Sequence, residues 1–383
     1  MKIKLLLSTA FLFFLGESTT FSQQTIVFSD LSDNDLIGKS ILLLEDDENT
    51  IEFQELINKN PIFKDNATDL IRLGLSSSTF WLKFKVKNNT SFPYLILVID
   101  QPVLNFVELY RYNSVQQFLP INIGEHKKFS ERKYQHPAHL FDLEIAPEES
   151  AIFYLKIKSD EPITLPISVT TPQSMVKFLS NKDMIMGIYL GIMLVMILYN
   201  LFIYITVRDS NYLYYIFYLG FICIAQASTQ GYTFMYLWPE TPLLSKYSIF
   251  IFAPVATIFA IIFINKFLQT AIYIKRTYYV LNCIIGLFFV SIIFSLNQQF
   301  QIAYNFINLL TLLGSIITLI GGFIVYRKGV HSAKYFVVAW SILLAGGLIY
   351  SLKEMGILPH NFFTMYAIQI GSALEAILLS FAF

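Results

Sequence analysis

The sequence contains very little cysteine. Only Cys223 and Cys283 are present among 383 residues, and both fall in apolar segments. The remainder of the chain has no cysteine, so any folded domain in it must be held together by its hydrophobic core and not by disulfide bonds. The spacings typical of metal clusters and of redox-active thiol pairs are also missing from the sequence. We expect no metal and no cofactor.

Charged residues are also scarce, at 14% of the chain, and the mean hydropathy is +0.55. Soluble globular proteins carry about 25% charged residues, so much of this chain must meet something other than water. The charges are unevenly placed: residues 23–180 carry 21 acidic and 15 basic side chains, whereas residues 181–383 carry 5 and 10. This asymmetry predicts a soluble domain over 23–180 followed by a membrane domain over 181–383.

The first 22 residues have the pattern of a secretory signal peptide. Lys2 and Lys4 precede an apolar core from Leu5 to Leu15, and Thr20-Phe-Ser22 has the small residues of a cleavage site before Gln23. An uncleaved anchor is the alternative, but the core is short for a membrane span. We therefore expect the domain that follows to be exported.

Period-2 patterns dominate that domain. In WLKFKVKN, Leu82, Phe84 and Val86 share one face and three lysines share the other, and FYLKIKS repeats the scheme. The stretches PYLILVID, NFVELYRY and HLFDLEI are further candidate strands, and TIEFQELINK over 50–59 is the one clear helical pattern. About seven or eight short strands predict an all-β sandwich, with a jelly-roll-like topology.

Four side chains of the exported domain are candidates for ligand binding. Trp81 falls on the lysine face of its strand, where an exposed indole is costly without a use. Arg132, His136 and His139 cluster in ERKYQHPAH, a loop-like stretch that could offer hydrogen bonds to a polar ligand. The structural alternatives stay open: the tryptophan could be packed under a neighbouring segment, and the Arg/His cluster could be a solvated loop.

The second half contains seven apolar segments, each long enough to cross a hydrocarbon core of about 30 Å. They lie near residues 184–206, 212–236, 246–268, 277–296, 302–326, 333–353 and 361–383. The first, third and fifth breaks between them hold seven basic residues, whereas the second, fourth and sixth hold two. Basic residues concentrate on the cytoplasmic side. The spans therefore predict an inner-membrane protein with a periplasmic or extracellular first domain and a cytoplasmic C-terminus.

Several stretches resemble a known family. In the membrane half these are YNLFIYITVRDSNYLYYIFYLGF, QGYTFMYLWP and SALEAILLSFA, and in the exported half FWLKFKVKNNT, LNFVELYRY, GEHKKFSERKYQHPAHLFDLEI and YLKIKS. Their order and spacing resemble the bacterial seven-transmembrane receptors with diverse intracellular signalling modules. The exported half resembles that family's larger extracellular domain, a carbohydrate-binding-like jelly roll.

The resemblance implies a receptor that detects a carbohydrate or another small molecule outside and signals inside. The family's cytoplasmic output module is not seen after SALEAILLSFAF, so we expect either a fragment or a separate signalling partner. The lipid bilayer is the other expected partner, a homodimer stays open, and no nucleic acid is expected. A transporter or channel with an exported cap is the alternative. We expect no enzymatic activity, because no nucleophile–base pair stands at a suitable depth.

Signal coupling has its own candidates. Glu375 is the only carboxylate deep inside a predicted span, and such residues are functional candidates by default. A hydrogen-bonded structural role for it is equally open. The Arg208–Asp209 pair forms the first predicted cytoplasmic turn, and residues 177–183 join the last strand to the first span.

Overall fold

The structure, a computed structural model, describes residues 25–29, 35–112 and 120–381. Strands occupy its first part up to residue 170 and helices occupy the rest from residue 172. The predicted signal peptide over residues 1–22 lies outside the described residues.

The described strands are short and closely spaced, as the alternating patterns predict. They are β1 (Thr25–Phe28), β2 (Leu42–Asp46), β3 (Lys64–Asp65), β4 (Ile71–Gly74), β5 (Thr79–Asn88), β6 (Leu95–Ile99), β7 (Phe106–Tyr112), β8 (Ile121–Ile123), β9 (His139–Leu143), β10 (Ser150–Lys158), β11 (Ile163–Leu165) and β12 (Ile167–Thr170). The predicted helix forms as α1 (Phe53–Lys59) and ends at Asn60, which has a left-handed φ of 41°.

The strands form two main sheets and a separate pair. The large sheet has the order β3-β2-β5-β10-β7-β8, with β1 beside β5 as its one parallel neighbour. The small sheet has the order β12-β6-β9, and β11 pairs with β4. The long central strands β5 and β10 are antiparallel, and Phe84 pairs with Phe153 across them.

One hydrophobic core lies between these sheets. Leu82, Phe84 and Val86 from the large sheet are buried in it with Leu97 and Phe141 from the small sheet. The alternation read from the sequence therefore places the correct face inward, because successive side chains of a strand point to opposite sides. An all-β sandwich followed by a helical membrane domain is confirmed, and the jelly-roll topology stays a prediction.

The outer faces of both sheets are partly covered. On the large sheet, α1 packs over an aromatic cluster. On the small sheet, Met175 of the first long helix packs against Ile96, Val98 and Leu140. Strand β6 is buried along its whole length for this reason. A strand covered on both faces has no polar side, and this explains the continuous apolar run LILVI.

Helices make up the second half. They are α2 (Pro172–Val207), α3 (Ser210–Thr229), α4 (Tyr232–Tyr236), α5 (Pro242–Phe267), α6 (Thr270–Tyr273), α7 (Lys275–Leu296), α8 (Phe300–Arg327), α9 (Ser332–Glu354), α10 (Phe362–Met365) and α11 (Ala367–Ser380). Helix α2 begins with a proline at its first turn, and the side chain of Thr171 accepts a hydrogen bond from the Ser174 amide at its N-terminus.

Six of the described helices, α2, α3, α5, α7, α8 and α9, are long and apolar enough to cross a membrane. The segment predicted as the seventh span, 361–383, is divided at Tyr366 into α10 and the 14-residue α11. At 1.5 Å per residue α11 is about 21 Å long. The first predicted span also begins earlier than expected, because α2 extends back to residue 172 and its first turns pack on the β-sandwich.

Candidate functional site

The β-sandwich is seated directly on one end of the helical bundle, and this junction is rich in buried polar side chains. Asp100 follows β6, and it forms an ion pair with Lys182 in the fourth turn of α2. Both side chains are almost fully buried, with 8% and 6% of their surface exposed. Burying both charges has a desolvation cost that is offset only while the two remain together. The pair therefore fixes the sandwich to α2.

A second polar contact lies beside this ion pair. His136 Nε2 lies 3.4 Å from Asp183 Oδ1 of α2, and the Tyr232 hydroxyl of α4 donates to the same oxygen at 2.7 Å. The backbone amide of Ala138 donates to His136 Nδ1 at 3.0 Å, so the neutral imidazole carries its proton on Nε2. The loop 131–139, helix α2 and helix α4 thus converge on one carboxylate.

Backbone contact is closest at Gly231, which precedes α4. Its φ is +77°, and a Cβ placed there would lie 2.7 Å from Pro102 Cβ and 2.9 Å from Pro137 Cβ. Glycine is favoured at such a position because it adopts a positive φ without strain and leaves room for the facing chain. Two loops of the sandwich therefore rest on the turn between α3 and α4.

The loop 124–132 makes further contacts with α4, with α5 and with the segment between them. The Ser245 hydroxyl donates to Glu125 at 2.8 Å, and the Phe129 amide donates to the Pro239 carbonyl at 2.8 Å. The Phe129 ring meets the Phe234 ring edge-on, with centroids 5.3 Å apart. Apolar and polar contacts together hold this loop against the bundle.

A third contact zone involves the end of α9. The Thr164 hydroxyl donates to Glu354 at 2.9 Å, and Arg72 donates to the Lys353 carbonyl at 3.3 Å. Further along, Lys246 of α5 pairs with Asp160 at 2.7 Å. The sandwich therefore contacts the ends of α2, α3–α4, α5 and α9 on one side of the bundle. The turns that carry most of the basic residues lie at the other side.

The three candidates in ERKYQHPAH come together, but as buried side chains and not as an exposed loop. Arg132, His136 and His139 are 6%, 4% and 0% exposed. Arg132 Nη1 donates to the carbonyls of His136 and Pro137. Their assignment to ligand binding stays a prediction. The structure places all three residues at the junction between the sandwich and the bundle.

Trp81 lies far from that group, on the outer face of the large sheet. It projects from the lysine face as predicted, yet it is fully buried, because α1 covers it with Phe53 at a ring distance of 6.3 Å. Tyr110 and Tyr154 complete this aromatic cluster. A ligand could reach Trp81 only if α1 moved, and ligand contact there stays a prediction.

Arg208 and Asp209 form the turn between α2 and α3, at the far end of the bundle. Arg208 has a left-handed φ of 58°, and Asp209 caps α3 by accepting from the Asn211 amide at 2.9 Å. Both side chains are exposed. Local turn chemistry accounts for this geometry, and a role in coupling stays a prediction.

Glu375 is fully buried in α11, and its neighbours belong to a row of helix–helix hydrogen bonds. Tyr218 of α3 donates to Glu375 Oε2 at 3.2 Å, while Oε1 has no hydrogen-bond partner among the described residues. The row extends along α11 and has members from α2 and α3: Gln226–Gln369 (3.2 Å), Tyr189–Ser372 (3.2 Å), Tyr215 to the Ala376 carbonyl (3.1 Å) and Asn200–Ser380 (2.7 Å). We call these residues the α11 polar row.

Sequence reasoning did not find Asp100 and Glu125. Each lies next to a strand or turn and looks like an ordinary surface carboxylate in the sequence. Their partners Lys182 and Ser245 are 82 and 120 residues away. The one available signal was the candidate stretch 177–183, since a charged Lys-Asp pair at the start of an apolar segment is costly unless it is used.

The fold and this junction define a multi-pass membrane protein with an extracellular β-domain attached to its helices. The family model described as 7TM diverse intracellular signalling matches residues 182–383, and that described as 7TMR-DISM extracellular 2 matches residues 38–171. The first match alone covers just over half of the chain, so the protein belongs to the 7TMR-DISM family. No curated protein matches the chain.

The buried histidine makes a pH dependence expected at the junction. Burial, and then the nearby Lys182, lower the pKa of His136 from 6.5 to about 4. A lowered histidine pKa stabilises the folded protein above pH 6.5, and this contribution is lost as the pH falls toward 4. Burial raises the pKa of Glu125 and Glu161, so their contribution has the opposite sign and is lost as the pH rises above 4.5.

Burial also lowers the pKa of His139, so replacing His136 with glutamine removes one of two histidine contributions of the same sign. We expect His136→Gln to flatten the loss of thermal stability of the purified protein between pH 6.5 and pH 4.5. The matched control is His331→Gln, which changes an exposed histidine in the turn before α9. An unchanged pH profile in His136→Gln would contradict the assignment.

Proposed function

We propose that the chain is a receptor whose extracellular domain detects a small molecule and passes the signal through the bundle to a cytoplasmic output module or partner. One observation supports this proposal most strongly. Two of the helical units that contact the sandwich, α2 and α3–α4, also hydrogen-bond α11 through the α11 polar row.

This arrangement gives a continuous set of contacts from outside to inside. A shift of the sandwich moves Asp183 and Gly231, and these residues belong to α2 and to the turn after α3. Both helices then act on α11 at several depths. Buried hydrogen-bonded side chains favour discrete arrangements over gradual deformation, because an unpaired polar group inside the membrane is costly. Ligand binding would shift the population of two such arrangements.

Glu375 has a defined part in this proposal. It is the one carboxylate of the α11 polar row, and its Oε1 gives it unused hydrogen-bonding capacity. A rotation of α11 or α3 would replace Tyr218 by another hydrogen-bond donor to Glu375. An aliphatic side chain at this position forms no hydrogen bond and would not distinguish the two arrangements. We propose that Glu375 helps to select between the two arrangements of the bundle.

The proposal can be tested without a known ligand by disturbing the junction. We choose Gly231→Ala in the full-length protein in nanodiscs, with Cys223 and Cys283 replaced by serine and spin labels at positions 334 and 381. Both labelled residues are exposed and lie at the far end of α9 and α11. Because the new Cβ collides with Pro102 and Pro137, we expect the distance distribution between the labels to shift.

The matched control is Gly220→Ala in α3, where a Cβ has open space. It should leave the distribution unchanged. Adding Glu375→Gln to Gly231→Ala should reduce the shift if the carboxylate takes part in coupling. Identical distributions in wild type and Gly231→Ala would contradict a receptor that signals through this junction. Substrate flux in proteoliposomes would instead favour the transporter alternative.

A further inference from the structure

A small cavity lies on the side of the extracellular domain next to the helical bundle. Its volume is about 50 Å³, compared with the roughly 10–15 Å³ that one water molecule requires. It is lined by Asn122, Ile123, Gly124, Lys127, Lys128, Glu131 and Arg132. Three of these seven residues are basic and one is acidic, so the lining carries an excess of positively charged side chains.

Arg132 is the buried basic residue of this lining. It is 6% exposed, its Nη1 is used by two backbone carbonyls, and its guanidinium stacks 4.6 Å above the Phe129 ring. Its Nε–H is buried and has no partner among the described residues. A buried donor without a partner is costly, so a ligand that accepts from it would gain more than the same contact made in water.

Asn122 provides a complementary group. Its Nδ2 donates to Glu108, while its Oδ1 is buried and without a partner in the described part of the chain. The lining of the cavity thus includes an arginine with an unused donor, an asparagine with an unused acceptor, and two lysines. A group with both oxyanion and hydroxyl chemistry would satisfy this combination.

We propose that this cavity binds a small oxyanion group, a carboxylate or a phosphate, that carries a neighbouring hydroxyl. A sugar acid is the solute of this class, and the headgroup of an anionic phospholipid offers the same chemistry. The inference rests on the proposed receptor function and names its ligand class. The volume of the cavity suits the carboxylate or phosphate group alone, so the remainder of the ligand would project out of the cavity.

Binding of a ligand in the cavity would affect the contacts between the sandwich and the bundle, because the cavity lies beside them. Arg132 and Lys128 lie close to Phe129 in the chain. The Phe129 amide donates to Pro239 in the segment between α4 and α5, and its ring packs on Phe234 of α4. Lys128 also pairs with Glu240 of that segment at 3.2 Å. A bound oxyanion would compete with Glu240 for Lys128, so binding changes a contact between the sandwich and the bundle.

The test uses full-length protein in phosphatidylcholine nanodiscs, with D-galacturonate and inorganic phosphate as probes. Galactose is the uncharged control, and sodium chloride keeps the ionic strength constant. We expect at least one anion to raise the Tm saturably and to give a measurable Kd, whereas galactose does neither. No saturable response to either anion would overturn binding of a free solute.

Substitutions of the two lysines test whether the anion binds in this cavity, and they leave the buried Arg132 unchanged. Lys127→Gln/Lys128→Gln should raise the Kd about tenfold or more, the change expected for about 1.4 kcal/mol, and Glu131→Gln should lower it. Lys64→Gln changes an exposed lysine elsewhere on the sandwich and should have no effect. An anion response that survives the double lysine change would overturn the assignment to this cavity.

Nanodiscs of phosphatidylglycerol distinguish the two sources of the oxyanion. If the lipid headgroup is the ligand, these nanodiscs raise the Tm of wild type and not of Lys127→Gln/Lys128→Gln, and free anions add nothing. If neither lipid nor free anion acts on wild type, the site is refuted. The spin-label result for Gly231→Ala is independent of both outcomes, so a failure here leaves the receptor proposal intact.

Discussion

Replacing Lys182 with methionine is expected to destabilise the full-length protein by about 3–5 kcal/mol, because it leaves the Asp100 carboxylate buried without its partner. The corresponding fall in Tm is about 4–6 °C for a chain of this size. The measurement is thermal unfolding of the purified protein in detergent. Lys177→Met, an exposed lysine five residues earlier on the same helix, is the control and should change the Tm little.

The double variant gives the sharper result. Asp100→Asn/Lys182→Met removes both charges from the junction, so neither side chain is left as a buried charge without its partner. We therefore expect the double variant to recover most of the Tm lost by Lys182→Met. A double variant as unstable as the single one would show that Lys182 acts through its packing and not through its charge.

Replacing Gly346 with alanine is expected to have the second large effect. Helices α9 and α11 approach so closely there that a new Cβ would lie 2.5 Å from the Ala367 carbonyl oxygen. The obstacle is backbone, so the helices must separate, and overpacking of this kind costs about 1–3 kcal/mol. We expect a lower Tm and faster hydrogen exchange over residues 367–380.

The adjacent Gly347 is a close control. A Cβ at this position meets no atom within 4 Å, and alanine is preferred over glycine inside a helix by about 0.5–1 kcal/mol. Gly347→Ala should therefore leave the Tm unchanged or raise it slightly. Equal effects from the two substitutions would mean that close packing of α11 against α9 is not what Gly346 provides.

Much of the fold was accessible from the sequence because its signals are local. Alternation in WLKFKVKN and FYLKIKS depends only on the geometry of a strand, and the structure buries Leu82, Phe84 and Val86 accordingly. Long apolar runs predict membrane helices for a similar reason. The division of the last segment at Tyr366 was missed, because a local break inside an apolar run changes hydropathy very little.

The candidate site depends instead on contacts that are distant in the chain. Arg132 and His136 look like residues of a polar loop until Lys182, Asp183 and Tyr232 are brought against them by the folded junction. Trp81 was placed on the correct face, but its cover by α1 is a tertiary contact that no alternation pattern contains. The sequence therefore indicated several of the residues of the site. It did not indicate that they are buried, or which side chains from distant parts of the chain they contact.

The continuity of α2 has a mechanical consequence. This helix has 36 residues without interruption, it starts against the small sheet and it ends at the turn of Arg208. At 1.5 Å per residue it is about 54 Å long. If it moves as a rigid rod pivoting at the sandwich, each degree of tilt displaces its far end by about 1 Å. A tilt of only a few degrees outside would then produce a movement at the opposite membrane surface as large as a side chain.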